Sequence, residues 1–407
     1  MITKLRVGNF YSIGDEIELS FTKGGVVPEE SYFHYKEREK VSLINGFYGA
    51  NASGKSNVLN ALVRTIRMIY MVNPVAFAAQ QVFEVPLCQP NKHINFKDKP
   101  TTISVDLLFG TNYYTYDLEI LDGKKIVKEV LYVTTLHVKG AKPKEIFTRI
   151  GDSIDLGPEH SDYKKYVDIS KVQPYQTLIS HLINNVGAPL VQDFIDNRES
   201  FFLKTDENDL MIPTFAAHNM ASRYSNFTDD EKKEFKKVVT TFLSCFNDSI
   251  LDVDLDHSRK TPVMIRHKNF VSDLDVMAES AGTRELFYYI YDLFSIFKKG
   301  GVVVYDETSR YYHPDMESAL LQLFVSDGTN LKHAQLFFSS HNHETLDLLE
   351  QDQAHIVEAV DASTTVFKLS EVEDLQKRDN LKKKYRLGMF GGVPDVIDFT
   401  YKIKQLL

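Results

Sequence analysis

Residues 46–57 read GFYGANASGKSN, and within them Gly49, Ala50, Asn51, Ala52, Ser53, Gly54, Lys55 and Ser56 meet every position of the pattern G-x-x-x-x-G-K-S/T. That spacing serves phosphate chemistry. The glycines let backbone N–H groups wrap an anion, the Lys55 ammonium can reach β and γ oxygens, and the Ser56 hydroxyl can enter a Mg²⁺ shell, with Asn57 next in line. A second element, Val302-Val303-Val304-Tyr305-Asp306-Glu307, is an apolar run closed by two carboxylates. Asp306 suits the Mg²⁺ shell, and Glu307 suits a water that must be oriented or deprotonated for attack, because phosphoryl transfer is mainly positioning and electrostatics. A third, Ser339-Ser340-His341-Asn342, follows another apolar run and offers His341 as a γ-phosphate sensor at a sheet's carboxyl edge. Together they predict a site for ATP and Mg²⁺ with Lys55, Glu307 and His341 as its catalytic groups.

These groups need a scaffold, and the surrounding pattern supplies one. Val41–Phe47 reads as a strand entering the glycine loop, and Val58, Leu59, Leu62, Val63, Ile66 and Ile69 recur at helical spacing after it. Two alternating stretches, Ile2–Phe10 and Glu16–Phe21, read as earlier strands. Between about 101 and 137, runs separated by Gly110-Thr111-Asn112 and Asp122-Gly123 predict an antiparallel meander. From about 160 to 248 the pattern becomes helical, with Thr228-Asp229-Asp230-Glu231 as a capping box ahead of Phe235, Val238, Val239, Phe242, Leu243 and Phe246. Gly301–Tyr305 and Ala334–Phe338 are apolar enough for a parallel sheet covered on both faces. The expected fold is α/β, a P-loop NTPase with a mixed central sheet plus a β meander and an inserted α-helical subdomain. Its expected parts are an N-terminal lobe 1–150, a mainly helical insertion 151–265 and a C-terminal lobe 266–407.

Glu279-Ser280-Ala281-Gly282-Thr283-Arg284 opens a further helix, and Ser280, Gly282, Thr283 and its first free N–H groups form a second anion site. One chain has little use for two γ-phosphate sites. A symmetric dimer, with this segment closing over the nucleotide on the partner's glycine loop, makes use of both.

The set of P-loop, E-S-x-G-T signature, Asp306-Glu307 with following His313-Pro314, and His341 resembles the ABC-type ATPase heads of the SMC, RecF and OLD group. Within it, Phe367-Lys368-Leu369-Ser370, Arg378-Asp379 and Tyr385-Arg386-Leu387-Gly388-Met389-Phe390-Gly391-Gly392-Val393-Pro394 resemble the closing motif of the stand-alone AAA-type ATPases of abortive-infection loci, the AbiL/RloA type. The resemblance implies an ABC-like head that hydrolyses ATP, forms a homodimer or higher oligomer through ATP-sandwiched heads, and acts as sensor or regulator in anti-phage defence beside a separately encoded nuclease-like effector. It departs from the pattern at Thr308-Ser309-Arg310-Tyr311-Tyr312, where the cross-dimer D-loop contact would lie, and Gln89 is its candidate Q-loop residue. A fused TOPRIM nuclease, as in OLD proteins, is not expected.

The 407 residues are 43% hydrophobic and 25% charged with a net charge of −9, so any affinity for nucleic acid must come from local patches. Lys382-Lys383-Lys384-Tyr385-Arg386 is the densest, and Lys232, Lys233, Lys236 and Lys237 form a second. No run approaches a membrane span and no signal-peptide pattern opens the chain, so a cytoplasmic protein is expected. Cys88 and Cys245 are distant in sequence and indicate neither a disulfide framework nor a zinc site. Three alternatives share the P-loop: a RecF- or SMC-like repair ATPase that binds DNA directly, a nucleotide-gated scaffold with little turnover, and a small-molecule kinase, which would leave Ser280 and His341 unexplained.

Overall fold

The chain opens with β1 (Ile2–Gly8) antiparallel to β2 (Ile17–Ser20), with Leu5 opposite Leu19. The computed structural model describes residues 1–24, 30–36, 39–70, 87–136, 138, 140–204, 213–310, 312–393, 401 and 404–405; Tyr311 of the expected D-loop and Pro394 of the tail motif lie outside them. A small antiparallel sheet follows, made of β3 (Thr22–Gly24), β4 (Tyr32–Lys36) and β5 (Glu39–Ser42), and then β6 (Ile44–Tyr48) leads into the glycine loop. The single strand expected over Val41–Phe47 is therefore two, broken at Leu43. Its backbone changes partners there. Ser42 N–H donates to Phe21 O at 2.8 Å and Leu43 N–H to Ser31 O at 2.8 Å, while Leu43 O accepts from Leu336 N in a different sheet at 2.8 Å. An apolar run carries no mark of such a crossing, since both halves are equally buried.

Helix α1 (Lys55–Tyr70) leaves the loop, and the meander then forms from β7 (Thr101–Phe109), β8 (Asn112–Leu121), β9 (Lys125–Thr135), β10 (Lys144–Ile150) and β11 (Ser153–Leu156). With β1 and β2 they make one antiparallel sheet in the order β11-β10-β9-β8-β7-β1-β2. At the β8–β9 turn, Asp122 and Gly123 both take positive φ, 53° and 68°, as the expected Asp-Gly turn requires. A Cβ on Gly123 would also fall 2.2 Å from Cys88 O.

The stretch expected to be helical, 160–248, is so only in part. Residues 158–200 run through short helical turns over the meander side of the core, and β12 (Phe201–Lys204) then joins the central sheet beside the strand that ends in Asp306. Four residues without alternation, Phe-Phe-Leu-Lys, give no period to tell strand from helix. Beyond it come α2 (Pro213–Ser225) and α3 (Asp229–Phe246). The α3 capping box is present: Thr228 Oγ1 accepts from Glu231 N at 3.3 Å, and Glu231 Oε2 accepts from Thr228 N at 2.9 Å. A three-stranded sheet of β13 (Ile250–Leu255), β14 (Val263–His267) and β15 (Leu274–Asp275) precedes α4 (Ala281–Lys299).

The central sheet is completed by β16 (Val302–Tyr305), β17 (Gln335–Ser339), β18 (Ala354–Val360) and β19 (Ser363–Lys368), in the order β12-β16-β17-β6-β18-β19. Every pairing is parallel except that of β18 with β19. Its central strands β16, β17 and β6 are buried on both faces. Val302, Val304 and Phe337 pack in one core with α1 and the meander, while Val303, Leu336 and Phe338 pack in a second with α3 and α4. Each such side chain contributes about 2 kcal/mol by burial. Helices α5 (Pro314–Val325) and α6 (Leu381–Arg386) complete the frame around the sheet's carboxyl edge.

Candidate functional site

Parallel pairing brings the carboxyl ends of β16, β17 and β6 to one edge, with Tyr305 beside Phe338 and Ser339 beside Phe47. The strand carrying Asp306 and the strand entering the glycine loop are separated by β17, two strand spacings or roughly 10 Å. That gap is wide enough for a phosphate group with its metal, and β17 fills its floor with Ser339, Ser340 and His341.

The loop itself is held by contacts that leave no room for side chains. A Cβ on Gly49 would lie 2.2 Å from Val357 O and 2.6 Å from Ser53 Oγ. Gly54 has φ +104°, and a Cβ there would meet Thr364 Oγ1 at 2.0 Å. Ala52, also with positive φ, and Asn51 are exposed, whereas Ser53 is 4% exposed and its Oγ has no hydrogen-bond partner among the described residues. A buried hydroxyl with nothing to bond beside a ring of backbone amides fits a ligand rich in acceptor oxygens.

Lys55 is buried at the start of α1, and its Nζ donates to Gly49 O at 3.0 Å and Ala50 O at 2.9 Å. Burial pushes its ammonium below the ordinary lysine value, and the carboxylates of Asp306 and Glu307 act in the opposite direction. Asp306 is buried, its N–H donates to Lys204 O at 3.0 Å, and its Oδ1 accepts from Ser339 Oγ. Glu307 has φ +53°, an uncommon setting for a residue with a side chain, and its N–H is fixed by Ser339 Oγ at 2.8 Å. His341 is exposed at the end of β17, with its backbone N–H on Ser309 Oγ at 3.2 Å. Partial burial and, second to it, the Lys55 charge hold its imidazole below the usual value, which favours the neutral ring. Lys55, Asp306, Glu307 and His341 thus share one electrostatic neighbourhood.

The remaining expected residues fall at its margins or elsewhere. Asn57 Nδ2 donates to Ser12 Oγ at 2.6 Å, and Ser12 Oγ lies 2.7 Å from Thr364 Oγ1. Gln89 is exposed, and its backbone oxygen accepts from Tyr11 N at 2.7 Å, next to Ser12. Ser280, Gly282 and Thr283 begin α4, and their hydrogen bonds stay local: Ser280 Oγ accepts from Thr283 N at 3.1 Å and lies 2.9 Å from Thr283 Oγ1. Glu279 Oε1 is 2.6 Å from His267 Nε2, whose ring reaches Ser249 Oγ at 2.8 Å through Nδ1.

Several neighbours of the loop escaped the sequence reading. Ser12 and Thr364 meet across 352 residues, a pairing only the fold creates. The tail motif folds onto the loop: a Cβ on Gly392 would lie 3.4 Å from Gly49 Cα, Gly392 N–H donates to Glu358 Oε1 at 2.8 Å, and Tyr385 OH donates to Gly392 O at 2.9 Å. Two lysines of the basic run beside it face carboxylates. Lys382 Nζ lies 2.7 Å from both Glu344 and Asp347, and Lys384 Nζ 2.6 Å from Asp379.

No family model matches the chain, and no curated protein does. Solved structures similar to it are SMC head domains. One is an SMC head bound to the C-winged helix domain of ScpA, 12% identical over 90% of this chain and 97% of that chain, with a TM-score of 0.48. Another is the SMC head domain from Thermotoga maritima, 12% identical over 90% and 98%, with a TM-score of 0.41. A third, from Pyrococcus furiosus, is an SMC head with an extended coiled coil bound to the C-terminal domain of ScpA, 12% identical over 96% and 98%, with a TM-score of 0.42. No helix among the described residues is long and apolar enough to cross a membrane.

Proposed function

We propose that the chain is an ATP-hydrolysing switch whose nucleotide lies across the carboxyl edge of the central sheet. The observation that carries this is the convergence, at one edge of the central sheet, of the glycine loop with its buried Lys55 and the strand end bearing Asp306 and Glu307, beside glycines that admit no side chain. In the proposed cycle, backbone amides of Gly49–Ser56 take the β and γ phosphates, and Lys55 exchanges its bonds to Gly49 and Ala50 oxygens for phosphate oxygens. Mg²⁺, when bound, would be held by Ser56 and Asp306 and would supply neutralisation of phosphate charge. Glu307 orients the attacking water and takes up its proton, and the neutral His341 ring donates to the γ-phosphate. Ser280, Gly282 and Thr283 of a second copy close over the same phosphate, which makes ATP the bridge of a homodimer. Because ATP would bind the closed pair better than the open chain, its hydrolysis would shift the population back.

The output we propose is regulation in anti-phage defence through a separate nuclease-like effector. Its support is the resemblance of the Phe367–Ser370, Arg378–Asp379 and Tyr385–Pro394 segments to the closing motif of abortive-infection ATPases. Direct DNA binding has less support, because Lys382 and Lys384 already face carboxylates.

With ATP and Mg²⁺, the purified chain is expected to release phosphate and to shift from one-copy to two-copy mass in light scattering. A chain that neither binds nor hydrolyses any nucleoside triphosphate overturns the proposal. Co-purification with the product of the adjacent gene, together with phage plating on cells carrying both genes, tests the defence role.

A further inference from the structure

Beneath Glu307 and His341 lies a buried carboxylate that the hydrolytic cycle does not use. Glu317, on the first turn of α5, is 1% exposed, and its backbone N–H donates to His313 O at 3.0 Å. Its side chain gathers hydrogen bonds from both edges of the site. Oε1 accepts from Thr308 Oγ1 and from Ser340 Oγ at 2.8 Å, and Oε2 accepts from Asn342 Nδ2 at 2.9 Å. Thr308 directly follows Glu307, and Ser340 and Asn342 flank His341 on either side. One carboxylate therefore ties the turn that carries the water-orienting group to the loop that carries the phosphate sensor.

The arrangement is over-determined in a way that simple packing does not require. Thr308 Oγ1 also lies 3.1 Å from Ser339 O, Asn342 N–H donates to Ser340 Oγ at 2.9 Å, and Asn342 Nδ2 reaches Pro314 O at 3.2 Å. Glu307 needs such support because its backbone sits at φ +53°, a conformation that persists where the surroundings enforce it. A buried carboxylate costs free energy of desolvation, and an apolar residue of similar size would fill the space without it. What the apolar residue could not do is hold three donors from two separate strand ends in one fixed relation.

We propose that Glu317 is a positioning residue for hydrolysis, a cross-brace that sets the Glu307 carboxylate and the His341 ring at a fixed separation on either side of the γ-phosphate. The proposal rests on hydrolysis occurring at this site. Glu317 itself does not touch the nucleotide, so its loss acts on the chemical step and spares binding at Gly49–Ser56.

The test compares Glu317→Ala, Glu317→Gln and wild type in the full chain by steady-state phosphate release, by affinity for a fluorescent ATP analogue and by thermal melting. Misplacement of a catalytic group by about 1 Å costs about 100-fold, so Glu317→Ala is expected to lower kcat by about that factor with KM and nucleotide affinity within about three-fold. Glu317→Gln keeps the oxygen that receives Thr308 and Ser340 but sets an amide against the Asn342 donor, and is expected to lose about ten-fold. Adding Asn342→Asp to Glu317→Gln reverses that donor and acceptor while setting a carboxylate against Pro314 O, and is expected to recover part of the loss. If Glu317→Ala fails to fold, the Glu317→Gln pair carries the test alone. A kcat within two-fold of wild type for Glu317→Gln, or a loss that the Asn342→Asp partner does not relieve, overturns the proposal. If wild type hydrolyses ATP and Lys55→Ala does not, that failure leaves the function of the site intact; if wild type releases no phosphate, both readings fall together.

Discussion

The edge of the central sheet and the Ser280 turn both look like anion sites in sequence, yet they are built differently. At the sheet edge, groups from β6, β16 and β17 converge, the Asp306 and Glu307 carboxylates act on the Lys55 ammonium, and Lys55 acts on the His341 ring. At the Ser280 turn Ser280 caps its own helix with Thr283, and Glu279 is held by His267 of β14. A site whose charges are mutually coupled can carry chemistry on its own surface. One whose residues cap a helix presents a preorganised N-terminus. The difference fits a division of labour in which the first holds the triphosphate and the second completes it from another copy.

Substitutions on the two sides should therefore fail in different ways. Glu307→Gln is expected to lower phosphate release by about 1000-fold while ATP stays bound and a two-copy species accumulates on sizing columns. Unaltered turnover would remove Glu307 from the reaction. Lys55→Ala should weaken nucleotide binding by roughly 4 kcal/mol, several hundred-fold, as read by calorimetry; near-wild-type affinity would detach the glycine loop from phosphate binding. Ser280→Arg should leave ATP binding to the single chain intact but reduce hydrolysis by about 100-fold, because closure is blocked. Hydrolysis persisting in a one-copy species would show that the sheet edge needs no second chain and would dissolve the contrast.

The smallest effect concerns the floor of the first site. His355 on β18 is fully buried, stacked on Phe47 with ring centroids 4.7 Å apart, and burial lowers its pKa to about 3. The unfolded chain binds a proton at His355 below the ordinary value of 6.5 that the folded chain refuses, so stability falls as pH drops from 6.5 towards 3. By about pH 5 the loss is roughly 2 kcal/mol. Urea unfolding of His355→Leu should show a shallower acid slope than wild type, and an identical slope would place the acid sensitivity elsewhere.

Local chemistry was legible wherever a residue's role depends on its immediate neighbours. The Thr228–Glu231 capping box, the Asp122-Gly123 turn and the apolar strands ahead of Asp306 and Ser339 all form as their spacing dictates, because each is decided by backbone geometry within a few residues. The break at Leu43 and the strand Phe201–Lys204 were not legible, since apolar runs of that length carry no period and their pairing partners lie far along the chain.

The amino-acid sequence by itself determined that a glycine loop and an acidic pair exist and that each follows a buried strand. Only the tertiary structure decided which of them meet: that β17 lies between the loop strand and the Asp306 strand, that Thr364 and Gly392 close against the glycine loop, and that Glu317 joins Thr308 to Ser340 and Asn342. The reason is physical. A turn or a cap is set by short-range sterics and hydrogen bonds, whereas strand order and buried polar networks are settled by long-range burial, which no local window of residues contains.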